Sequence, residues 1–238
     1  METIKGIIFD YGGTIDSGGN HWSHVIDAAY RAEGIVLPRE AFRDAYVHAE
    51  RELARTRHIL PRHNFRELML IKIRLEMDAL VAAGVIDEAA AVDLAPHVAS
   101  SCYQMARSAV NAARPVLQAI SDAGIPMVLV SNFYGNIESV LRDFDLLHFF
   151  PRIIESAVVG VRKPDPAIFA LGVEALGLPA QQVLVVGDSL RKDILPARSL
   201  GCRTAWIKGR GWTPEEDAAT DPAQLPHGLP SLKNLLNI

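Results

Sequence analysis

Three short aliphatic runs punctuate the chain, and each ends on polar or acidic residues: KGIIFD at Lys5–Asp10, MVLVSN at Met127–Asn132 and VLVVGD at Val183–Asp188. Apolar runs this short and this rich in β-formers read as strands buried on both faces, the pattern of a parallel sheet. Arg152–Glu155 and Thr204–Ile207 are weaker candidates of the same kind. Helical patterns lie between them at Pro115–Ala123, Asp165–Leu176 and Ile194–Leu200. Each runs into a glycine (Gly124, Gly177, Gly201) suited to a left-handed C-terminal cap. Strands alternating with helices predict an α/β fold built on a Rossmann-like, doubly wound parallel sheet.

One stretch breaks the alternation. From about Gly18 to Ser101 the periodicity is helical throughout, with no strand signal. Ser23–Glu33 ends at Gly34, Pro38 opens a helix over Arg39–Arg57, Phe65–Ala83 ends at Gly84, and Asp87 can cap a helix running past His97. An all-helical block directly after the first strand predicts an inserted helical domain at residues 18–103, with residues 1–17 and 104–238 forming the α/β core. The Gly-, Pro- and Asp-rich stretch Gly209–Pro230 reads as surface loop.

Composition narrows the setting. The 238 residues are 49% hydrophobic and 22% charged, ordinary for a soluble globular chain, which excludes disorder, collagen and coiled coil. A formal charge of −4 gives no general attraction to nucleic acid or to an anionic membrane. The longest apolar stretches, such as Ile125–Val130, fall short of the roughly 20 residues a membrane span needs. The opening METIKGIIFD does not read as a signal peptide, and Cys102 and Cys202 make neither a disulfide framework nor a metal knuckle. The expected setting is a reducing cytoplasm.

Chemistry concentrates at the strand ends, because the C-terminal edge of a parallel α/β sheet is where ligands bind. Asp10 with Thr14, Ser131 with Asn132, Asp188 and Asp193 fall there, and Lys163 lies in the loop VRKPDP before a helix. Carboxylates converging on one point repel each other and call for a cation, and oxygen ligands of this kind suit Mg²⁺. Mg²⁺ with a lysine and a hydroxyl neutralises phosphate oxygens, and a carboxylate facing that phosphate can act as nucleophile. The expected partner is therefore a small phosphorylated molecule.

FDYGGT, VLVSN, KPDP and VVGDSLRKD, in that order, resemble the four motifs of the haloacid dehalogenase (HAD) superfamily, and the resemblance covers the whole chain. It implies a helical cap between the first two motifs and an Asp10 strand at the sheet centre, flanked by those ending at Ser131 and Asp188. By position it makes Asp10 the nucleophile that forms an aspartyl-phosphate, and has Thr14 orient that carboxylate. Ser131 would bind the transferring phosphoryl oxygens, with Asn132 also on the substrate side, and Lys163 would balance charge. Asp10, the Gly12 carbonyl and Asp188 would hold Mg²⁺, with Asp193 in support. The implied activity is a Mg²⁺-dependent phosphatase of a small metabolite, with the cap and its loops setting specificity.

The departure is at Gly12. HAD phosphatases usually carry a second Asp there, which protonates the leaving oxygen and then activates water. General acid–base help is typically worth about 10²–10⁴-fold. Asp16, His21 and His24 are the candidate substitutes, and His21 beside Trp22 is also the expected cap-side substrate contact. If one of them closes over the site, the rate depends weakly on the leaving group; if none does, the dependence is steep. A catalytically degenerate domain that binds a phosphorylated ligand or protein is the alternative reading, resting on Gly12 alone. Dehalogenation is disfavoured by the retained Asp188 and Asp193. Phosphonate hydrolysis is disfavoured because Lys72, the single lysine of the insertion, sits in an apolar helix pattern. The basic segment Arg51–Arg66 offers either a greeting surface for an anion or a solvated helix face.

Overall fold

The computed structural model describes residues 3–238. Its centre is one parallel sheet of β1 (Gly6–Phe9), β2 (Met127–Ser131), β3 (Arg152–Glu155), β4 (Val183–Gly187) and β5 (Arg203–Trp206), in the order β3-β2-β1-β4-β5. The strand that leads into Asp10 is central: Ile8 lies opposite Val128 of β2 on one side and Val185 of β4 on the other. Every residue of β1, β2 and β4 is buried, as their unbroken apolar runs require. Successive side chains go to opposite faces. Ile7, Phe9, Leu129 and Val186 join the larger core with the helices between β1 and β2, whereas Ile8, Val128, Val130 and Val185 pack with Ile168 and Phe169. Strand order reverses at β1, and in open α/β sheets ligands bind beyond the strand C-termini at such a point.

Between β1 and β2 lie α1 (Trp22–Ala32), α2 (Arg39–Arg55), α3 (Phe65–Ala82) and α4 (Glu88–Asp122), with no strand among them. Asn64 and Glu67 form a reciprocal capping box at the start of α3, and the Asp87 carboxylate accepts from the Ala90 amide to start α4. The two helical patterns at Asp87 onward and at Pro115–Ala123 are one 35-residue helix, which runs through Pro96 and Pro115. A proline inside a helix forfeits one backbone hydrogen bond. The buried stripe of α4 from Ala91 and Val98 through Val110 to Leu117 and Ile120 is continuous, and its burial outweighs that loss.

After β2 come α5 (Ile137–Asp143), α6 (Ser156–Val159) and α7 (Ala167–Leu176). A π-helical turn over Leu190–Ile194 leads into α8 (Leu195–Ser199), followed by α9 (Pro214–Ala218) and α10 (Ser231–Leu236). The expected loop Gly209–Pro230 therefore contains one short helix, α9, and pairs at Gln224 with the end of β5. Among the described residues no helix is long and apolar enough to cross a membrane.

Candidate active site

Asp10 leaves β1 with its amide donating to the Val186 carbonyl at 2.9 Å, so the neighbouring strand fixes where its side chain emerges. Its Oδ1 accepts from Lys163 Nζ at 2.6 Å and its Oδ2 from the Thr14 hydroxyl at 2.8 Å. Lys163 also donates to Asp193 Oδ1 at 2.7 Å, while Asp193 Oδ2 accepts from the Ser189 amide at 3.0 Å. Asn132, expected on the substrate side, uses its amide differently. Its Oδ1 accepts from the Lys163 amide at 2.9 Å and its Nδ2 donates to the Lys163 carbonyl at 3.0 Å. It thereby bolts the lysine-bearing loop to the end of β2.

The electrostatics of this cluster are lopsided. Ligand oxygens of Asp10, Asp188 and Asp193 lie within 4.8 Å of one another, close to the roughly 4 Å that two Mg–O bonds of about 2 Å can span. Three carboxylates face one ammonium, which leaves two negative charges for a divalent cation to neutralise. Thr14 Oγ1 lies 2.8 Å from Asp10 Oδ2 and 3.1 Å from Asp188 Oδ1, and one hydroxyl proton cannot serve both oxygens. Burial, then the charges of Asp10 and Asp193, hold the Asp188 carboxyl well above the usual carboxylate range. Burial alone would lower Lys163, but Asp10 and Asp193 outweigh it and raise its ammonium above the ordinary lysine value. The all-oxygen donor set fits Mg²⁺. Asp193 has both oxygens occupied by Lys163 and Ser189, so its place is behind the lysine, while Asp10 and Asp188 face each other.

Glycine is required beside this cluster. Gly13 has φ +96°, and a Cβ there would fall 2.4–2.6 Å from the Asp188 carboxylate atoms. Gly12, by contrast, has no heavy atom within 4 Å of a Cβ and does not adopt a left-handed φ. Its role is therefore not conformational. Ser131 Oγ is buried at the end of β2 without a hydrogen-bond partner, an acceptor and donor held ready for an incoming oxygen.

The three candidate substitutes for the missing acid are engaged elsewhere. Asp16 is buried, its Oδ1 accepting from the Gly13 amide at 2.7 Å and both oxygens lying 3.1 Å from the Trp22 indole nitrogen. Burial pushes its carboxyl up to about 7, against the pull of the Gly13 amide. It fastens the turn after β1 to the start of α1. His21 caps α1, with Nδ1 accepting from the Ser23 amide at 3.2 Å. Burial, then Lys192 and Lys72, lower its imidazole to about 4. It stacks near Tyr46 and Trp212, at 5.7 and 5.1 Å between centroids. His24 Nε2 lies 2.7 Å from the Gly211 carbonyl, and the proton there belongs to the histidine because a carbonyl only accepts. The Gly18–Gly19 linker is clasped as well: a Cβ on Gly209 would lie 2.4 Å from Gly19, and the His21 amide donates to the Arg210 carbonyl at 2.8 Å.

Of the basic segment, Arg51, Arg55, Arg57, Arg62 and Arg66 are exposed, with Arg55 on Glu52 and Arg66 over the Tyr103 ring at 4.2 Å. Arg51, Arg55 and Arg66 lie on solvated helix faces, and Arg57 and Arg62 in the exposed connection between α2 and α3. The periodicity gave no sign of the polar contacts between the insertion and the core. Tyr134 donates to Glu50 on α2, Asn136 Nδ2 to the His63 carbonyl at 2.8 Å, and Ser139 to the Pro61 carbonyl at 2.6 Å. The partners are far apart in sequence, and only the placement of α5 and its preceding loop under α2–α3 brings them together.

Comparison with known proteins accords with the strand-end cluster. Residues 4–201 match the family model of haloacid dehalogenase-like hydrolases. The chain is 44% identical over 87 residues to the haloacid dehalogenase-like hydrolase domain-containing protein 3 of Danio rerio, covering 37% of this chain and 36% of that protein. It is 33% identical over 98 residues to the phosphoserine phosphatase of Thermus thermophilus, covering 41% and 39%. In these alignments the chain spans less than half the length of either relative. Among solved structures, a dehalogenase with an intermediate complex superposes with a TM-score of 0.64 at 19% identity, over 99% of this chain and 98% of that one. With its central Asp10 strand, its carboxylates and lysine at one sheet edge and a family match over most of its length, the chain belongs to the haloacid dehalogenase-like hydrolases.

Proposed function

We propose that the protein is a Mg²⁺-dependent phosphatase of a small phosphorylated metabolite, acting through an aspartyl-phosphate on Asp10. The observation that carries this reading is the Asp10 carboxylate itself, buried at the sheet's C-terminal edge between Lys163 and Thr14 and facing Asp188. Three carboxylates, Asp10, Asp188 and Asp193, gathered around the single ammonium of Lys163 support a divalent-cation site and with it a phosphatase over a dehalogenase. Asp10, Asp188 and the Gly12 carbonyl would hold the Mg²⁺, which when bound neutralises phosphate oxygens.

The chain's own residues do the rest. Thr14 and Lys163 hold the Asp10 carboxylate in place, and the unpartnered Ser131 hydroxyl takes a phosphoryl oxygen. An Asp10 oxygen attacks phosphorus, and the bond from phosphorus to the leaving oxygen breaks with its electron pair going to that oxygen. Position 12 has no proton to give, so the leaving group departs as an anion and is protonated by solvent. Water then attacks the phosphorus, the bond to Asp10 breaks, and inorganic phosphate leaves. Acyl and aryl phosphates, whose leaving groups need no proton, suit this arrangement best.

The test is Mg²⁺-dependent hydrolysis of p-nitrophenyl phosphate and acetyl phosphate by the wild type and Asp10→Asn. Turnover that is abolished by Asp10→Asn and by chelation is expected. Gly12 favours one second reading, a phosphate-binding domain without turnover. Phosphate binding without hydrolysis of either ester would establish it and overturn the first.

A further inference from the structure

Asp188 is held in place by a residue that no motif marks. β4 and β5 run in parallel register with Gly187 opposite Trp206, and the Ile207 amide donates to the Gly187 carbonyl at 2.9 Å. One residue later the chain has left the sheet, and Asp188 meets a side chain in place of a strand. Trp206 Nε1 donates to the Asp188 carbonyl at 2.6 Å. An indole nitrogen only donates, so the direction of this bond is fixed. The next residue, Ser189, donates its amide to Asp193 Oδ2 at 3.0 Å. Three successive residues at the end of β4 are thus each tied to a different neighbour.

Trp206 can bear a load because it is itself fixed. It is 3% exposed, its amide donates to the Ala223 carbonyl at 2.8 Å, and its carbonyl accepts from the Leu225 amide at 2.9 Å. Lys208 Nζ lies 5.3 Å from its ring centroid and donates to the Ala219 carbonyl at 2.5 Å. Residues 219–225, part of the stretch that reads as loop, therefore seat the indole. The load is electrostatic: Asp188 shares its cluster with Asp10 and Asp193, and three carboxylates repel one another until a cation arrives. The Asp188 carboxylate also occupies the space that a Cβ on Gly13 would take, so its fit depends on where the Asp188 backbone stands. A buried tryptophan needs an acceptor for its N–H, and for packing any carbonyl would serve. The one used here belongs to the residue whose carboxylate must meet Asp10.

We propose that Trp206 is the positioning residue of the cation site: its N–H fixes the Asp188 backbone, keeps that carboxylate opposite Asp10 and thereby sets the affinity for Mg²⁺. The inference rests on the Mg²⁺-dependent phosphatase reading and adds the group that prearranges its ligands. Mg²⁺ demands near-octahedral geometry and tolerates misplaced ligands poorly. Groups that orient metal ligands are commonly worth about 10–100-fold in affinity. Trp206 bonds to the Asp188 main chain, whereas Asp10 is held by Lys163 and Thr14. Loss of the indole N–H therefore weakens the cation's hold and leaves the attack by Asp10 intact once the cation is bound.

The experiment removes the N–H without removing the ring. Site-specific replacement of Trp206 by β-(3-benzothienyl)alanine puts sulfur where the N–H stood, and Trp206→Phe is the second variant. Mg²⁺ affinity is read by calorimetry with inorganic phosphate present, and kcat on acetyl phosphate is read across a Mg²⁺ titration. Both variants should bind Mg²⁺ about 10–100-fold more weakly than the wild type. Their kcat should return to within twofold of wild type once Mg²⁺ saturates. A sulfur variant that binds Mg²⁺ within twofold of wild type overturns the proposal, whatever Trp206→Phe does, because packing alone would then account for the residue. A sulfur variant whose kcat saturating Mg²⁺ does not restore overturns it too, because the damage would then lie at Asp10. A wild type that binds no Mg²⁺ and needs none for turnover overturns the Mg²⁺-dependent reading, and this inference with it.

Discussion

Restoring an acid at position 12 tests the central chemical oddity of the site. A Cβ at Gly12 meets nothing within 4 Å and the backbone there is not left-handed, so the backbone at position 12 accepts a side chain without strain. Replacing glycine at a compatible position also removes freedom from the unfolded chain, worth about 0.4–1 kcal/mol in favour of folding. The adjacent Gly13 provides the contrast. With φ +96° and the Asp188 carboxylate 2.4–2.6 Å from its would-be Cβ, Gly13→Ala must both strain the backbone by about 1–2 kcal/mol and displace Asp188. Gly12→Asp is therefore expected to fold as the wild type does and to gain turnover, while Gly13→Ala loses it. The gain should reach up to about 10²–10⁴-fold on alkyl phosphates, equivalent to roughly 3–5 kcal/mol of barrier. The assay is kcat across aryl and alkyl phosphates of rising leaving-group basicity, with thermal melts as the folding control. Wild-type rates should fall steeply along the series and Gly12→Asp rates gently. A shallow wild-type slope, or a folded Gly12→Asp with no gain on alkyl esters, would refute the reasoning. It would show that another group, Asp16 foremost, already donates the proton.

Other consequences follow from the same cluster and from the core of the insertion. Asp188→Ala should abolish Mg²⁺ binding, read by calorimetry with phosphate present, while leaving the circular dichroism spectrum intact; unchanged affinity would sink the assignment of that ligand. Lys163→Met leaves Asp10 and Asp193 buried without their ammonium. Breaking such a pair costs about 3–5 kcal/mol, or roughly 6–20 °C in melting temperature in chelator; an unmoved Tm there contradicts the charge argument. Glu76, buried on α3 with Oε1 unpartnered, has its carboxyl pushed up to about 8 by burial, against the pull of Lys72. The folded chain thus holds this proton more tightly than the unfolded one, and the stability it confers is present below about 4.5 and lost as pH rises to about 8. In Glu76→Gln, Tm relative to wild type should rise from pH 5 to pH 8; a constant difference would disprove it.

Much of this was legible in the residues alone because it is local. A four- or five-residue run of aliphatic side chains has one economical fate, a strand with both faces covered, and the polar residue ending it must emerge at the sheet edge. The pattern alone therefore puts Asp10, Ser131 and Asp188 on one edge, and Asp87 and Pro38 mark helix starts through the orphan amides of a first turn. The tertiary structure decided what depends on distant partners. Pro115 read as a helix start, yet α4 runs through it because a buried stripe spans the position. Asn132 read as a substrate contact and instead holds the Lys163 backbone, 31 residues away. His21 reads as a candidate proton donor and cap-side substrate contact, and burial beside Tyr46 and Trp212 lowers its imidazole to about 4 and leaves it neutral. Glu50, Lys72 and Tyr134 carry no shared motif at all, yet Glu50 pairs with Lys72 and accepts from Tyr134. Period and capping act over one or two turns of chain, whereas a buried charge finds its partner only when packed elements have brought the two together.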